Sequence, residues 1–157
     1  MIVNHEGDLL SVTKGIIVHG CNAQGVMGSG VAKVIRDKWP VAYKAYRMEY
    51  DRNGLKLGDV IFYTASDDYD DTLIIANAIT QFDYGREPGR IYVDYDAVFK
   101  CFEKINAVAR WHGLPIHFPL IGCGLANGNW KNVSSVIEAA VPDSIEKHLW
   151  LLPGIKP

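Results

Sequence analysis

The sequence predicts one α/β domain, a three-layer α/β/α sandwich around a mixed, mostly parallel sheet. Three observations lead there. Short apolar runs alternate with helical patterns, two glycine-rich loops each join a strand to a helix, and no linker or repeat divides the 157 residues. That length suits a single core, so residues 1–157 form one domain.

Ile2 to His5 is the first strand, ended by Gly7-Asp8. Gly15-Ile16-Ile17-Val18-His19 is a continuous apolar run, the pattern of a strand buried on both faces. A glycine-rich loop runs from Cys21 to Gly30, and Val31 to Trp39 reads as a helix stopped by Pro40. Val41 to Tyr50 is the second helix, closed by Asp51-Arg52-Asn53-Gly54. Asp59 to Thr64 and Thr72 to Ile79 are strands. Between them Ser66-Asp67-Asp68-Tyr69-Asp70-Asp71 reads as a solvated hairpin loop, since it lacks the glycine and terminal glutamate of a calcium loop.

Asp94 is an N-cap for the clearest helix, where Tyr95, Val98, Phe99, Phe102, Ile105 and Ala109 make one apolar face before Gly113. Pro115 to Leu120 is a strand, and a second glycine-rich loop follows from Ile121 to Asn129. Trp130 to Ala140 is a helix and His148 to Leu152 the closing strand. The order is β-β-α-α-β-β-α-β-α-β. In such sheets ligands bind beyond the carboxyl ends of the strands, where both glycine loops sit.

Composition narrows the function. The net charge is −2 with no long basic run, which argues against nucleic acid and membrane as partners. No window approaches the eighteen or so apolar residues of a membrane helix. Cys21, Cys101 and Cys123 form no CxxC pair, as expected of free thiols in a cytoplasmic protein. No His/Cys/Asp cluster has metal spacing, so a metal-free site without a cofactor is expected.

The first loop reads His19-Gly20-Cys21-Asn22-Ala23-Gln24-Gly25-Val26-Met27-Gly28-Ser29-Gly30-Val31-Ala32. Its glycines let backbone approach a ligand, and it feeds a helix N-terminus, where unpaired N–H groups favour a phosphate. Familiar phosphate motifs fail in it. Val31 stands where a P-loop requires lysine, the dinucleotide fingerprint lacks its third glycine, and Met27 replaces the arginine of a His-Cys phosphatase loop. Phosphate binding through main-chain groups remains. The second loop, Pro119-Leu120-Ile121-Gly122-Cys123-Gly124-Leu125-Ala126-Asn127-Gly128-Asn129-Trp130, repeats the design. Two such loops at one sheet edge form opposite walls around a diphosphate.

These residues resemble the macrodomain family. Gly7-Asp8-Leu9-Leu10 is similar to its early Gly-Asp-(Ile/Leu) element. Asn22 with Gly28-Ser29-Gly30-Val31-Ala32 is similar to its asparagine and Gly-x-Gly-(Ile/Val)-Ala loop, and Pro119 to Leu125 to its diphosphate loop. The closest branch holds the phage- and yeast-type ADP-ribose-1″-phosphate phosphatases and the ADP-ribosyl-glutamate and ADP-ribosyl-thymidine hydrolases. The resemblance implies an ADP-ribose site. Asp8 would take the adenine amino group beside Gly7 and Leu9, and Asn22 the distal ribose. Gly20, Cys21 and Met27 to Ala32, with Leu120 to Ala126 (Ile121, Gly122, Cys123, Gly124 and Leu125 between), would wrap the diphosphate and distal ribose. Leu152 would close over the adenine.

Two departures bear on the reaction. The hydrolases' lysine and acid have Gln81 and Ala126 as counterparts here, which disfavours removal of ADP-ribose from a carboxylate or thymidine. His19 resembles a phosphatase histidine, suited to proton transfer near neutral pH, with Asp83 as the second acid/base group. The expected ligands are ADP-ribose, its 1″-phosphate and ADP-ribosylated protein. A phosphatase producing ADP-ribose and phosphate is the first reading, and a non-catalytic reader or an ADP-ribosyl hydrolase the second. A scaffold for another phosphorylated metabolite is the third.

Overall fold

The computed structural model describes residues 1–157. Its strands are β1 (Ile2–Glu6), β2 (Gly15–Asn22), β3 (Val60–Asp68), β4 (Asp71–Gln81), β5 (Ile116–Phe118) and β6 (Lys147–Leu151). Its helices are α1 (Gly30–Lys38), α2 (Pro40–Asn53), α3 (Tyr95–His112) and α4 (Trp130–Ala140). One sheet has the order β1-β6-β5-β2-β4-β3, parallel throughout except for β3, which runs antiparallel to β4 at the edge. The expected mixed, mostly parallel sandwich is the architecture found.

β2 and β4 run inside the sheet because their residues are buried on both faces. Ile16, Ile17, Val18 and Ile75 through Thr80 are buried almost without exception. On one face α3 and α4 supply Val98, Phe102, Ile105, Val133 and Ile137 to the largest core cluster. On the other, α1 and α2 cover two smaller clusters through Ile35, Ala42 and Tyr46. Asp94 caps α3 by accepting from the Ala97 N–H at 2.9 Å, and Gly113 closes it in the left-handed conformation. No helix is long and apolar enough to cross a membrane.

Four local readings change. β2 runs on to Asn22, three residues past His19, because Gly20 and Cys21 continue the ladder against Ala78 and Ile79 before the register shifts. The acidic hairpin loop shrinks to the turn at Tyr69-Asp70, since Asp67 and Asp68 pair with Thr72 and Asp71 while their carboxylates stay in water. α2 reaches Asn53, one residue before Gly54 at φ 71°. β5 is only Ile116–Phe118, bracketed by Pro115 and Pro119, which have no N–H to give the ladder. A short 3₁₀ turn, Leu9–Ser11, went unpredicted. Asp8 starts it by accepting from the Leu10 N–H at 2.9 Å.

Candidate functional site

The five parallel strands all discharge at one edge, and there the two glycine loops face each other. With the segment after β4 they enclose a crevice of about 570 Å³. Its walls are Gly20, Cys21, Asn22, Val26 and Gly28–Ala32 from the first loop, and Pro119–Gly122 and Gly124–Ala126 from the second. Gln81 and Tyr84–Arg86 complete it.

The two loop–helix junctions differ. α4 is capped, with Asn129 accepting from the Asn132 N–H. α1 is not: Ser29 makes no side-chain cap bond, so the first-turn N–H groups of α1 stay open beside the crevice. An unpaired helix start of this kind favours an anion. The second loop is folded tightly on itself. Gly122 has φ 73°, and a Cβ there would lie 2.5 Å from Val93 Cγ2, while the Gly128 N–H donates to Gly122 O at 2.6 Å.

Asn22 organises the first loop. Its Oδ1 accepts from the Gln24 N–H at 2.9 Å and the Tyr46 hydroxyl at 3.0 Å, and its Nδ2 donates to Val26 O at 2.8 Å. An amide nitrogen carries two hydrogens, so one N–H of Asn22 is left for a ligand at the crevice wall.

His19 stands elsewhere. It is fully buried outside the crevice lining, with Nε2 and Asn77 Oδ1 2.6 Å apart, and Asn77 in turn donates to Ala42 O on α2. Burial pulls its pKa down to about 4 against the opposing hydrogen bond. A neutral imidazole locked between β2, β4 and α2 reaches no ligand, so the expected proton-transfer role has no geometric support. The reason is depth along β2: Gly20, Cys21 and Asn22 at its end meet the crevice, while His19 stands one residue further in, with its imidazole against Asn77 beneath α2.

Other expected residues divide similarly. Met27 is 1% exposed and packs with Cys21, Tyr46 and Ile79, so it shapes the loop from below. Asp83 lies outside the crevice lining, its carboxylate 3.8 Å from Arg90 and accepting from the Tyr84 N–H. Cys21 borders the crevice, but burial raises its pKa well above the ordinary thiol value. Cys123 is off the lining, near Ile121 O, and burial pushes it up to about 11. Neither is a thiolate at neutral pH. Asp8, Leu9 and Leu152 also lie outside the crevice, at the β1–β6 end of the same edge. There the Gly7 N–H donates to Leu151 O, and Leu152 is exposed.

Sequence reasoning missed the third wall. Tyr84, Gly85 and Arg86 come from an aperiodic loop and belong to no phosphate motif, yet Arg86 is the one charged residue lining the crevice. The signal was available only as a Gly-Arg pair a few residues beyond the β4 run.

Comparison with known proteins gives a consistent result. The Macro domain family model matches residues 18–137. A protein of Enterobacteria phage T4, described as an uncharacterized 17.5 kDa protein in the tk-vs intergenic region, is 30% identical over 88% of this chain and 89% of its own. An ADP-ribose 1″-phosphate phosphatase of Candida albicans is 27% identical over 88% of this chain and 92% of its own. Among solved structures, Thermosipho africanus DarTG in complex with ADP-ribose superposes with a TM-score of 0.77. It is 18% identical and covers 98% of this chain and 42% of that one.

Proposed function

Since this chain belongs to the Macro domain family, we propose that its crevice binds ADP-ribose or ADP-ribose-1″-phosphate. The observation that carries this is the uncapped start of α1 at a crevice whose one lining charge is a cation. A diphosphate between Gly28–Ala32 and Ile121–Leu125 would meet open N–H groups without a carboxylate to oppose it. The spare N–H of Asn22 then reaches the distal ribose. Asp8, whose Oδ1 is engaged by Leu10, keeps its other carboxylate oxygen for an adenine amino group, with Leu152 alongside. The DarTG complex supports the ligand class.

Turnover is the second reading: release of the 1″-phosphate by water, giving ADP-ribose and inorganic phosphate. The name of the Candida relative favours it. Phosphoryl transfer depends mainly on positioning and charge neutralisation, which loop N–H groups and Arg86 are able to supply. With His19 buried and Asp83 paired to Arg90, no side chain in the lining is a ready general acid or base. A slow enzyme or a pure reader of free or protein-linked ADP-ribose follows. The same argument tells against glycohydrolase action, since Gln81 donates to Asp83 O and Ala126 has no acid to offer.

Calorimetry with ADP-ribose and phosphate release from ADP-ribose-1″-phosphate, run on the wild type and Asn22→Ala, separate these readings. Binding with release, both reduced in Asn22→Ala, makes the protein a phosphatase. Binding without release makes it a reader. No binding of either compound overturns the proposal.

A further inference from the structure

The loop between β4 and α3 carries two arginines with opposite circumstances. Arg90 is fully engaged. It lies 3.6 Å from Glu87 and 3.8 Å from Asp83, and its guanidinium sits 4.5 Å from the centre of the Tyr92 ring. Its carbonyl oxygen accepts from Asn127 of the second loop at 2.8 Å. The Tyr92 oxygen also accepts from the Glu87 N–H at 3.1 Å. These bonds brace the loop and set Arg90 against Asp83 and Glu87, while the third carboxylate, Asp94, caps α3. Arg86, four residues earlier, makes no hydrogen bond or ion pair with any other residue, and it lines the crevice.

An unpaired arginine beside a crevice, with the nearby Asp83 and Glu87 facing Arg90 instead, is a site for a further anion. Position says which one. Along the sheet edge the strands run β1, β6, β5, β2, β4, so Asp8 stands at one end and Arg86 beyond the other, with the glycine loops between. A ligand with its base at Asp8 and its diphosphate between the loops directs its distal ribose toward Arg86. Resting on the ADP-ribose reading above, we infer that Arg86 selects ligands that carry a phosphate monoester on that distal ribose. The guanidinium offers a planar fork to two phosphate oxygens, which a single ribose hydroxyl does not match. Arg86 is thus a specificity residue, and Arg90 the residue that positions its loop.

The test is titration of the wild type, Arg86→Ala and Arg86→Lys with ADP-ribose and with ADP-ribose-1″-phosphate at low and high ionic strength, product being followed in the same samples. The wild type is expected to prefer the phosphorylated ligand by about tenfold or more, the scale of one charge-assisted contact. In Arg86→Ala that preference collapses toward unity, and Arg86→Lys restores part of it in a salt-sensitive form. Equal thermal melting of the three proteins verifies that the changes are local. A preference unchanged in Arg86→Ala, or a wild type that binds both ligands equally, overturns the inference and leaves the ADP-ribose reading standing. A wild type that binds neither removes that reading, and the inference with it.

Discussion

The hydroxyl of Tyr46, on α2, lies 2.7 Å from the carbonyl oxygen of Asn22 and 3.0 Å from its side-chain oxygen. One buried phenol thus holds both the end of β2 and the amide that meets the crevice. Replacing it tests the coupling between core and site. Tyr46→Phe keeps the packing but removes the donor, at a cost of about 1 kcal/mol in denaturant stability. Affinity for ADP-ribose should fall about three- to tenfold as the Asn22 amide loses its fixed orientation. An unchanged affinity would show that Asn22 is held by Gln24 and Val26 alone.

Gly20 offers a second test, this time of the crevice floor. A Cβ there would lie 2.7 Å from Thr80 Oγ1, a buried hydroxyl with no hydrogen-bond partner. Gly20→Ala should therefore destabilise the fold by about 1–3 kcal/mol through overpacking. Adding Thr80→Ala removes the opposing atom and should recover much of that loss. A double-mutant cycle measures the recovery, and strictly additive costs would sink the steric explanation.

Gly122 combines two constraints, φ 73° and the 2.5 Å approach of a Cβ to Val93. Gly122→Ala should shift the second loop and weaken ADP-ribose binding by an order of magnitude or so. Val93→Ala beside it relieves the clash but not the backbone strain, so only partial rescue is expected. Full rescue would mean that the left-handed conformation costs nothing here.

Two buried histidines set an acid limit. Burial lowers the pKa of His19 to about 4, and burial together with the neighbouring His148 lowers that of His117 to about 4. The ordinary value in an unfolded chain is about 6.5, so the unfolded state takes up these protons first. Their stabilisation is complete above about pH 6.5 and is lost as pH falls toward 4, by up to about 3 kcal/mol for each group. Melting temperature should therefore drop between pH 7 and 5, before ordinary carboxylates titrate fully. His117→Phe should flatten part of that slope. A melting temperature that stays level over this interval would refute the assignment.

The helices were readable because local chemistry decides them. Trp130–Ala140 and the Asp94 start of α3 follow from capping residues and helical spacing, and both agree with the structure. Strand ends were less legible, because Gly20 to Asn22 belong to β2 through pairing with β4, a long-range matter. At the site, glycines marked the loops, but which side chains face the ligand depends on how each loop folds. Met27 turned inward and Asp83 paired with Arg90, while Arg86 was left over the crevice. No periodicity spans residues 82–93, so nothing in their order distinguishes the braced arginine from the free one.

Strand order has one more consequence. Neighbouring strands in a hydrogen-bonded sheet keep a spacing of about 4.8 Å, so the four steps from β1 to β4 amount to about 19 Å. The sheet is therefore a ruler, graduated by backbone hydrogen bonds that no side-chain change can rescale. Loop substitutions alter how tightly a ligand is gripped, but the lateral spacing of the strands that carry the Asp8 and Arg86 loops is fixed by the number of strands between them.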